Sequence, residues 1–331
     1  MDYAKGIGIF LVVLGHTLRG VVDVVFAAAP WTEALDRWIY AFHMPLFFLL
    51  SGLFIERAVR KPWGVSVGSK AKTILYPYLI WSVLQELLRA ASGIREAPLT
   101  DLWRIAYEPV MQFWFLYVLF LLSMGYIALR KWGGSVALFL GLMGVLWGLE
   151  VAGVELGPWS VVYTLRASGI YFALGAIAQR YGTLRLLEGR SRGSLVAAAI
   201  AGFGVIAVAV WGLTFPSGVV PFEPVPLPKI WTLPLAIVGM GASLALAKAM
   251  EGIAALDFVK AWGARSLEIF VAHTIFSAAL RVVLQKLGVE VPLVHLLAGT
   301  VIGLYGPMAL VALGQRLRFP YLFRWPTARP S

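Results

Sequence analysis

The chain has 331 residues, of which 60% are hydrophobic and only 14% are charged, and its mean hydropathy is +0.81. A soluble domain is about half apolar and about a quarter charged, so this composition excludes an ordinary soluble protein and indicates an integral membrane protein. The net charge of +11 is compatible with nucleic-acid binding, but the basic residues lie mostly in short loops between apolar runs, which the positive-inside rule explains better.

The apolar runs are continuous and do not alternate, which predicts an all-α membrane protein and argues against a β-barrel. We expect about ten transmembrane helices, at 6–28, 38–55, 72–90, 112–129, 134–149, 159–178, 195–213, 230–249, 264–284 and 293–314. With the N-terminus inside, 19 of the 28 basic residues fall on the cytoplasmic side and 7 outside, so both termini are expected to be cytoplasmic. We expect one polytopic domain over residues 1–331, without a cleavable signal peptide or an appended soluble domain.

The first predicted helix carries a polar stripe on an otherwise apolar span. His16, Arg19 and Asp23 are spaced i, i+3 and i+7, and Lys5 lies about three turns before His16. A charge inside a bilayer costs about 2.5–3.5 kcal/mol on insertion scales, so such residues normally face protein or a wet cavity. The stripe therefore predicts an active-site helix, and His16 is its natural general base, because imidazole titrates near neutral pH. Arg19 and Asp23 are either acceptor contacts or a simple i, i+4 ion pair.

The second and third predicted helices add further candidates. His43 precedes Pro45, and it is either a catalytic partner or the group that satisfies a backbone carbonyl freed by the proline. Ser51 is expected to lie near the inner surface, in close helix packing or in the wall of a channel. Lys70 and Lys72 belong to a basic segment at 56–72. This segment either orients the protein in the membrane and contacts anionic lipid, or it binds an anionic cytoplasmic ligand.

Two later helices carry polar residues at membrane depth. Arg166 needs a carboxylate or an anionic ligand, so it either stabilises an oxyanion, binds an anionic acceptor, or pairs with Asp23 or Glu150. His273 is a further candidate in the ninth span. The chain contains no cysteine, which excludes disulfides, thiolate nucleophiles and cysteine-bound metals. We expect no metal site.

Eight short motifs follow one another along the chain: residues 2–9 (DYAKGIGI), 12–16 (VVLGH), 42–48 (FHMPLFF), 50–54 (LSGLF), 72–81 (KTILYPYLIW), 113–117 (FWFLY), 171–175 (YFALG) and 269–273 (IFVAH). As an ordered set they resemble the membrane-bound acyltransferase family 3, the O-acetylases of bacterial surface sugars, fucose O-acetylases among them. That family has a basic residue, ten intervening residues and a histidine on its first span. Lys5 and His16 keep this spacing, with lysine where arginine is usual. A lysine cannot bind a phosphate through two parallel hydrogen bonds as an arginine can.

The resemblance implies an O-acyltransferase of the bacterial inner membrane. It would move an acyl group, by default acetyl, from cytoplasmic acyl-CoA to a hydroxyl of a sugar, glycolipid or polysaccharide at the outer face, with no permanently bound cofactor. His16 would be the base, in direct transfer in preference to an acyl-enzyme. The supporting roles would be distributed as follows: His43, Arg166 and His273 beside the base, Lys5, Lys70, Lys72 and Ser51 on acyl-CoA, and Arg19, Asp23, Trp114 and Tyr117 on the acceptor.

Two other functional classes remain open from the residues alone. A proton-coupled transporter of a small anionic or sugar-like solute would also carry intramembrane His, Arg and Asp, but no two-half repeat is visible. A lipid-linked sugar ligase or polymerase would need large outer loops rich in Arg and His, which this chain lacks. The oligomeric state is open.

Overall fold

The computed structural model describes residues 1–22, 24–93, 99–215 and 224–326. These residues form helices and connecting loops. The helices are α1 (Asp2–Val21), α2 (Pro30–Tyr40), α3 (His43–Leu53), α4 (Glu56–Val59), α5 (Trp63–Lys70), α6 (Tyr76–Ala91), α7 (Trp114–Lys131), α8 (Val136–Val151), α9 (Ser160–Tyr181), α10 (Arg192–Thr214), α11 (Thr232–Ala249), α12 (Asp257–Ala264), α13 (Ser266–Lys286) and α14 (Pro292–Arg316).

The all-helical, multi-pass membrane class is confirmed. Eight helical segments of the described chain are long and apolar enough to cross a membrane: Asp2–Val21, Pro30–Val59, Leu99–Lys131, Ser160–Tyr181, Arg192–Thr214, Lys229–Ala249, Ser266–Lys286 and Pro292–Arg316. The sequence predicted about ten. The difference lies at 72–90 and 134–149. Helix α6 is polar toward its end, where it carries Gln85, Glu86 and Arg89. Helix α8 has only 16 residues and so reaches about 24 Å, less than a bilayer core of about 30 Å.

Helix α1 begins and ends earlier than the sequence predicted. It starts at Asp2 and ends at Val21, where Val22 turns to an extended backbone with φ −61° and ψ 137°. The predicted span 6–28 is therefore wrong at both ends. Because His16 is the fifteenth of 20 helical residues, it lies about 8 Å from the C-terminal end of the helix and not near its middle.

The second predicted span starts at Pro30 and is broken at Ala41 and Phe42, between α2 and α3. Pro45 has no amide hydrogen, so it cannot donate to the carbonyl of Ala41 four residues earlier. The break sets the end of α2 beside the start of α3, and two residues of the candidate active site flank it.

The chain folds into two compact units. The first unit contains Met1–Phe47 and Thr183–Ala309, and the second contains Phe48–Gly182 and Leu310–Ser331. In the first unit, α1 is the central helix, because it packs against α2, α11, α12 and α13. Its buried side chains include Ile9, Val12 and Val13, each with no exposed surface. The helix that carries His16 is therefore enclosed by other helices, which is what its polar residues require.

In the second unit, α9 packs against α7 and α8, and it meets α3 through a pair of glycines. A Cβ atom added at Gly175 would lie 3.0 Å from the amide nitrogen of Leu53, and one added at Gly52 would lie 3.0 Å from the amide nitrogen of Ala176. Two helix backbones can approach this closely only where the residues in contact have no side chain, and such glycine contacts are common between membrane helices.

Replacing one of these glycines should destabilise the second unit. Gly175→Val places three carbon atoms against backbone that cannot move aside, and overpacking costs about 1–3 kcal/mol. We expect the apparent melting temperature in detergent to fall by about 3–8 °C. Gly144→Val on α8 is the matched control, because nothing lies within 4 Å of a Cβ there. Equal melting temperatures for the two variants would contradict the close packing of α3 and α9.

Candidate active site

The centre of the site is a pair of histidines in the first unit. His16 on α1 and His273 on α13 lie with Nδ1 of His16 2.7 Å from Nε2 of His273. The two imidazole rings are almost parallel, at 8°, and their centroids are 4.9 Å apart. With the nitrogens so much closer than the centroids, the rings meet edge to edge in nearly one plane, which is the geometry of a hydrogen bond and not of stacking.

The backbone of α13 determines how the protons are arranged in this pair. His273 is fully buried, and its Nδ1 lies 2.8 Å from the carbonyl oxygen of Phe270 and 3.1 Å from that of Ile269. A carbonyl only accepts, so Nδ1 of His273 carries the hydrogen and its Nε2 is left as an acceptor. Nδ1 of His16 must then donate to that acceptor. We assign the tautomers from these partners, and the assignment leaves the lone pair on Nε2 of His16.

Arg19 is held by a carboxylate from α2. Its Nε and Nη2 donate to the two oxygens of Asp36 at 2.6 and 2.8 Å, which is the bidentate arrangement that suits guanidinium and carboxylate. The guanidinium carbon also lies 3.3 Å from the centroid of the Tyr40 ring. The predicted partner Asp23 lies outside the described residues, so the acceptor role proposed for it stays a prediction.

His43 supports the helix break. Its side chain has 1% exposure, and its Nδ1 donates to the carbonyl oxygen of Ile39 at 2.8 Å. The carbonyl that His43 satisfies is that of Ile39, and not that of Ala41, which Pro45 leaves without its usual donor. A catalytic role for His43 stays a prediction. Its ring also meets Tyr40 edge to face, with centroids 4.5 Å apart and an angle of 86°. His43 therefore fixes one wall beside the histidine pair.

Lys5 occupies the first turns of the same helix as His16. Its Nζ lies 3.4 Å from Asp2, and both side chains are partly exposed. Lys5 and His16 are eleven positions apart on the helix, a rise of about 16 Å. The structure thus places a cation near one end of α1 and an imidazole near the other.

Arg166 lies in the second unit and has a carboxylate partner there. Its Nη2 donates to Glu150 on α8 and its Nη1 to the carbonyl of Val154. Both charged side chains are almost completely buried, at 5% and 4% exposure. Of the alternatives that the sequence left open, the structure contains the ion pair with Glu150. A catalytic role for Arg166 stays a prediction.

The two predicted donor lysines other than Lys5 also belong to the second unit. Lys70 is half-buried at the end of α5, and burial lowers the pKa of its ammonium group. Lys72 is exposed in a short π-helical segment, Ala71–Leu75. Ser51, the other residue predicted on the donor side, lies on α3 beside Gly52. The roles of all three toward acyl-CoA stay predictions.

The two aromatic residues predicted on the acceptor side lie on α7 of the second unit. Trp114 packs near Phe48, with ring centroids 6.2 Å apart. The Tyr117 hydroxyl donates to the carbonyl of Ala106 at 2.8 Å. Their roles toward the acceptor stay predictions.

Sequence reasoning missed Asp36 and Tyr40. The two residues are four apart on α2, so they lie on one face of that helix, and this face meets Arg19. A polar residue and an aromatic residue at that spacing were visible in the sequence. Nothing in the sequence, however, indicated which other helix they would face.

The fold and the site define a multi-pass helical membrane protein with a hydrogen-bonded pair of histidines among its helices. The chain matches the acyltransferase domain family over residues 1–312 and belongs to that family. It is an acyltransferase-family enzyme, as the sequence motifs predicted. Within the described residues, no group of three or more His, Cys, Asp or Glu side chains is placed to hold a metal ion.

Two curated relatives match parts of the chain. Nodulation protein NolL of Mesorhizobium japonicum is 36% identical over 122 residues, which cover 36% of this chain and 32% of that protein. Nodulation protein NolL of Sinorhizobium fredii is 36% identical over 142 residues, which cover 40% of this chain and 38% of that protein. The chain thus spans about a third of the length of these relatives. No solved structure matches it significantly.

Proposed function

We propose that the protein transfers an acetyl group from acetyl-CoA to a hydroxyl group of a sugar or polysaccharide, with His16 as the general base. The observation that carries this proposal is the 2.7 Å contact between Nδ1 of His16 and Nε2 of His273. It orients the His16 ring and leaves Nε2 to accept a proton. His273 would thus orient the base through a hydrogen bond, an arrangement that recurs in acyl-transfer enzymes on unrelated folds.

The reaction has two proton transfers at one atom. Nε2 of His16 takes the proton of the acceptor hydroxyl while the oxygen of that hydroxyl attacks the carbonyl carbon of the thioester, which becomes a tetrahedral oxyanion. The carbon–sulfur bond then breaks, and the thiolate of CoA takes the same proton back from Nε2. The imidazolium that forms in between is stabilised by its Nδ1–H bond to neutral His273. The proposal is direct transfer, without acylation of His16.

The charges around His16 favour a neutral acceptor. Arg19, the cation one turn further along α1, is paired through two nitrogens with Asp36, so the pair carries no net charge. The rings beside His16 are the imidazole of His273 and the phenol of Tyr40, and His43 packs on Tyr40 in turn. These groups are uncharged as we assign them, and a sugar hydroxyl needs only hydrogen bonds. This supports the sugar acceptors that the family resemblance implies.

The donor would enter from the end of α1 that carries Lys5. We propose that this end faces the cytoplasm, as the distribution of basic residues predicts, and that Lys5 binds the phosphates of acetyl-CoA. The rise of about 16 Å between Lys5 and His16 suits the long pantetheine arm, which would carry the thioester to the base. Lys70 and Lys72 are proposed as further contacts to the same phosphates.

Removing the Lys5 charge should weaken donor binding more than the chemistry. For Lys5→Ala we expect KM for acetyl-CoA to rise about tenfold, the size of one charge-assisted hydrogen bond of about 1.5 kcal/mol, while kcat changes less than about twofold. Lys286→Ala is the matched control, because Lys286 is an exposed lysine at the far end of α13. An unchanged KM, or an equal rise in the control, would remove Lys5 from the donor site.

The function itself is tested by acetyl-CoA turnover in nanodiscs. Purified protein is incubated with acetyl-CoA and a panel of neutral sugar acceptors, and free CoA and acetylated sugar are measured together. Release of CoA with matching sugar acetylation is the expected result. Uptake or efflux of a solute by proteoliposomes, without consumption of acetyl-CoA, would favour the transporter alternative and overturn the proposal.

A further inference from the structure

Tyr40 carries a buried hydroxyl that no group in the described protein satisfies. Its Oη atom is buried without a hydrogen-bond partner. Buried polar side-chain atoms nearly always have partners, because a donor left without one costs about 1–3 kcal/mol. The neighbouring side chains of Arg19 and His43 both have partners of their own. An unsatisfied hydroxyl beside them indicates a position that another molecule completes.

The Tyr40 ring is fixed on three sides within the first unit. The Arg19 guanidinium covers one face at 3.3 Å from the centroid, and His43 meets the ring edge to face at 4.5 Å. On the α1 side, Gly15 leaves room for it: a Cβ atom there would lie 3.1 Å from Cε2 and 3.7 Å from Cζ of Tyr40. These contacts need only the ring, and phenylalanine would make them equally well.

The Tyr40 ring lies beside the turn of α1 that carries His16. Gly15 directly precedes His16 on α1, and Cζ, the carbon that bears the hydroxyl, is among the Tyr40 atoms closest to it. The centroids of the Tyr40 and His16 rings are 6.3 Å apart, with the ring planes at 59°, so the two side chains are direct neighbours.

We propose that the Tyr40 hydroxyl donates a hydrogen bond to the oxyanion that forms when the acceptor attacks the acetyl thioester beside His16. The inference rests on the proposed function and adds to it the group that stabilises the developing negative charge. The O–H bond of Tyr40 stays intact throughout, so the base chemistry remains with His16. A preorganised donor aimed at the oxyanion, and not at the ground-state carbonyl, acts mainly in the transition state.

Tyr40→Phe removes the hydroxyl and keeps every ring contact. We expect kcat for acetyl transfer to fall about 100- to 1000-fold, the usual loss for one oxyanion donor, while KM for acetyl-CoA and for the acceptor stays within about twofold. The melting temperature should be unchanged or slightly higher, because an unsatisfied polar atom has been removed. The matched control is Tyr305→Phe on α14, a half-exposed tyrosine that packs on Trp262.

Each outcome separates the two proposals. Normal turnover by both wild type and Tyr40→Phe would overturn the role of Tyr40 and leave the proposed function intact. A rise in acceptor KM with unchanged kcat would also overturn it, because the hydroxyl would then bind the ground state only. If wild type itself neither consumes acetyl-CoA nor acetylates any sugar, the proposed function fails, and this inference fails with it.

Discussion

His16→Ala is expected to lower kcat for acetyl transfer by at least about 100-fold, the size of a lost general base. Nε2 of His16 is the atom that we propose accepts the hydroxyl proton, and an alanine at this position would leave no base to replace it. Binding of acetyl-CoA should remain, because the proposed phosphate contact at Lys5 lies about 16 Å away along α1. The measurement is acetyl-CoA turnover together with equilibrium binding, on the same preparation.

The control for this variant is another buried histidine of the first unit. His295 on α14 lies at 1% exposure, and its Nε2 donates to the carbonyl of Val289 at 2.7 Å. His295→Ala removes a buried imidazole outside the histidine pair. We expect its kcat, measured on the folded fraction of the preparation, to stay within about threefold of wild type. A His16→Ala variant that retains more than about a tenth of wild-type kcat would contradict the role of His16 as the base.

The membrane class of the protein followed from composition, and one polar stripe was enough to single out His16 as a candidate. The apolar share of the chain required a membrane protein, and His16 was an ionisable group where such groups are costly. The contact of His43 was also within reach, because a histidine side chain can donate to the backbone carbonyl four residues earlier, here that of Ile39. These features depend on residues that are close together in the sequence, within one helix or one turn, so they can be predicted without knowing how the helices pack.

The end of α1 was beyond the sequence for a physical reason. The residues after Val21 remain largely apolar, with Val24, Val25, Phe26 and three alanines, so hydropathy alone continues the helix to residue 28. The backbone nevertheless turns at Val22. Apolar composition measures the preference for lipid or protein over water, and it does not distinguish a helix from an extended segment packed on other helices.

The partners of the charged residues were the least predictable part of the site. Arg19 had an equally plausible partner four residues away in Asp23, yet its observed partner Asp36 comes from the next helix. His273 is separated from His16 by 257 residues, and only the family resemblance pointed to it. Pairing across helices depends on how α1, α2 and α13 pack, and a single sequence contains no direct record of that packing.

His273→Leu is expected to lower kcat about 100-fold, even though His273 need not touch either substrate. It is a positioning residue: its Nε2 fixes the ring of His16, and its Nδ1 is fixed in turn by two carbonyls of α13. Without Nε2 of His273 as a hydrogen-bond acceptor, the His16 ring is free to rotate and its tautomer is no longer set. A misplacement of a reacting group by about 1 Å can lower the rate about 100-fold. KM for both substrates should stay near that of wild type.

A conservative variant distinguishes positioning from packing. The side-chain carbonyl of His273→Gln can accept from Nδ1 of His16 as Nε2 of His273 does, so its kcat should recover to within about tenfold of wild type, while His273→Leu stays low. Both variants lose the imidazole, and both alter the buried surface between α1 and α13, so a packing defect would affect them alike. Equal loss in both, accompanied by equal falls in melting temperature, would assign His273 to stability alone. Recovery in the glutamine variant would establish that the hydrogen bond to His16, and not the volume of the ring, supports the reaction.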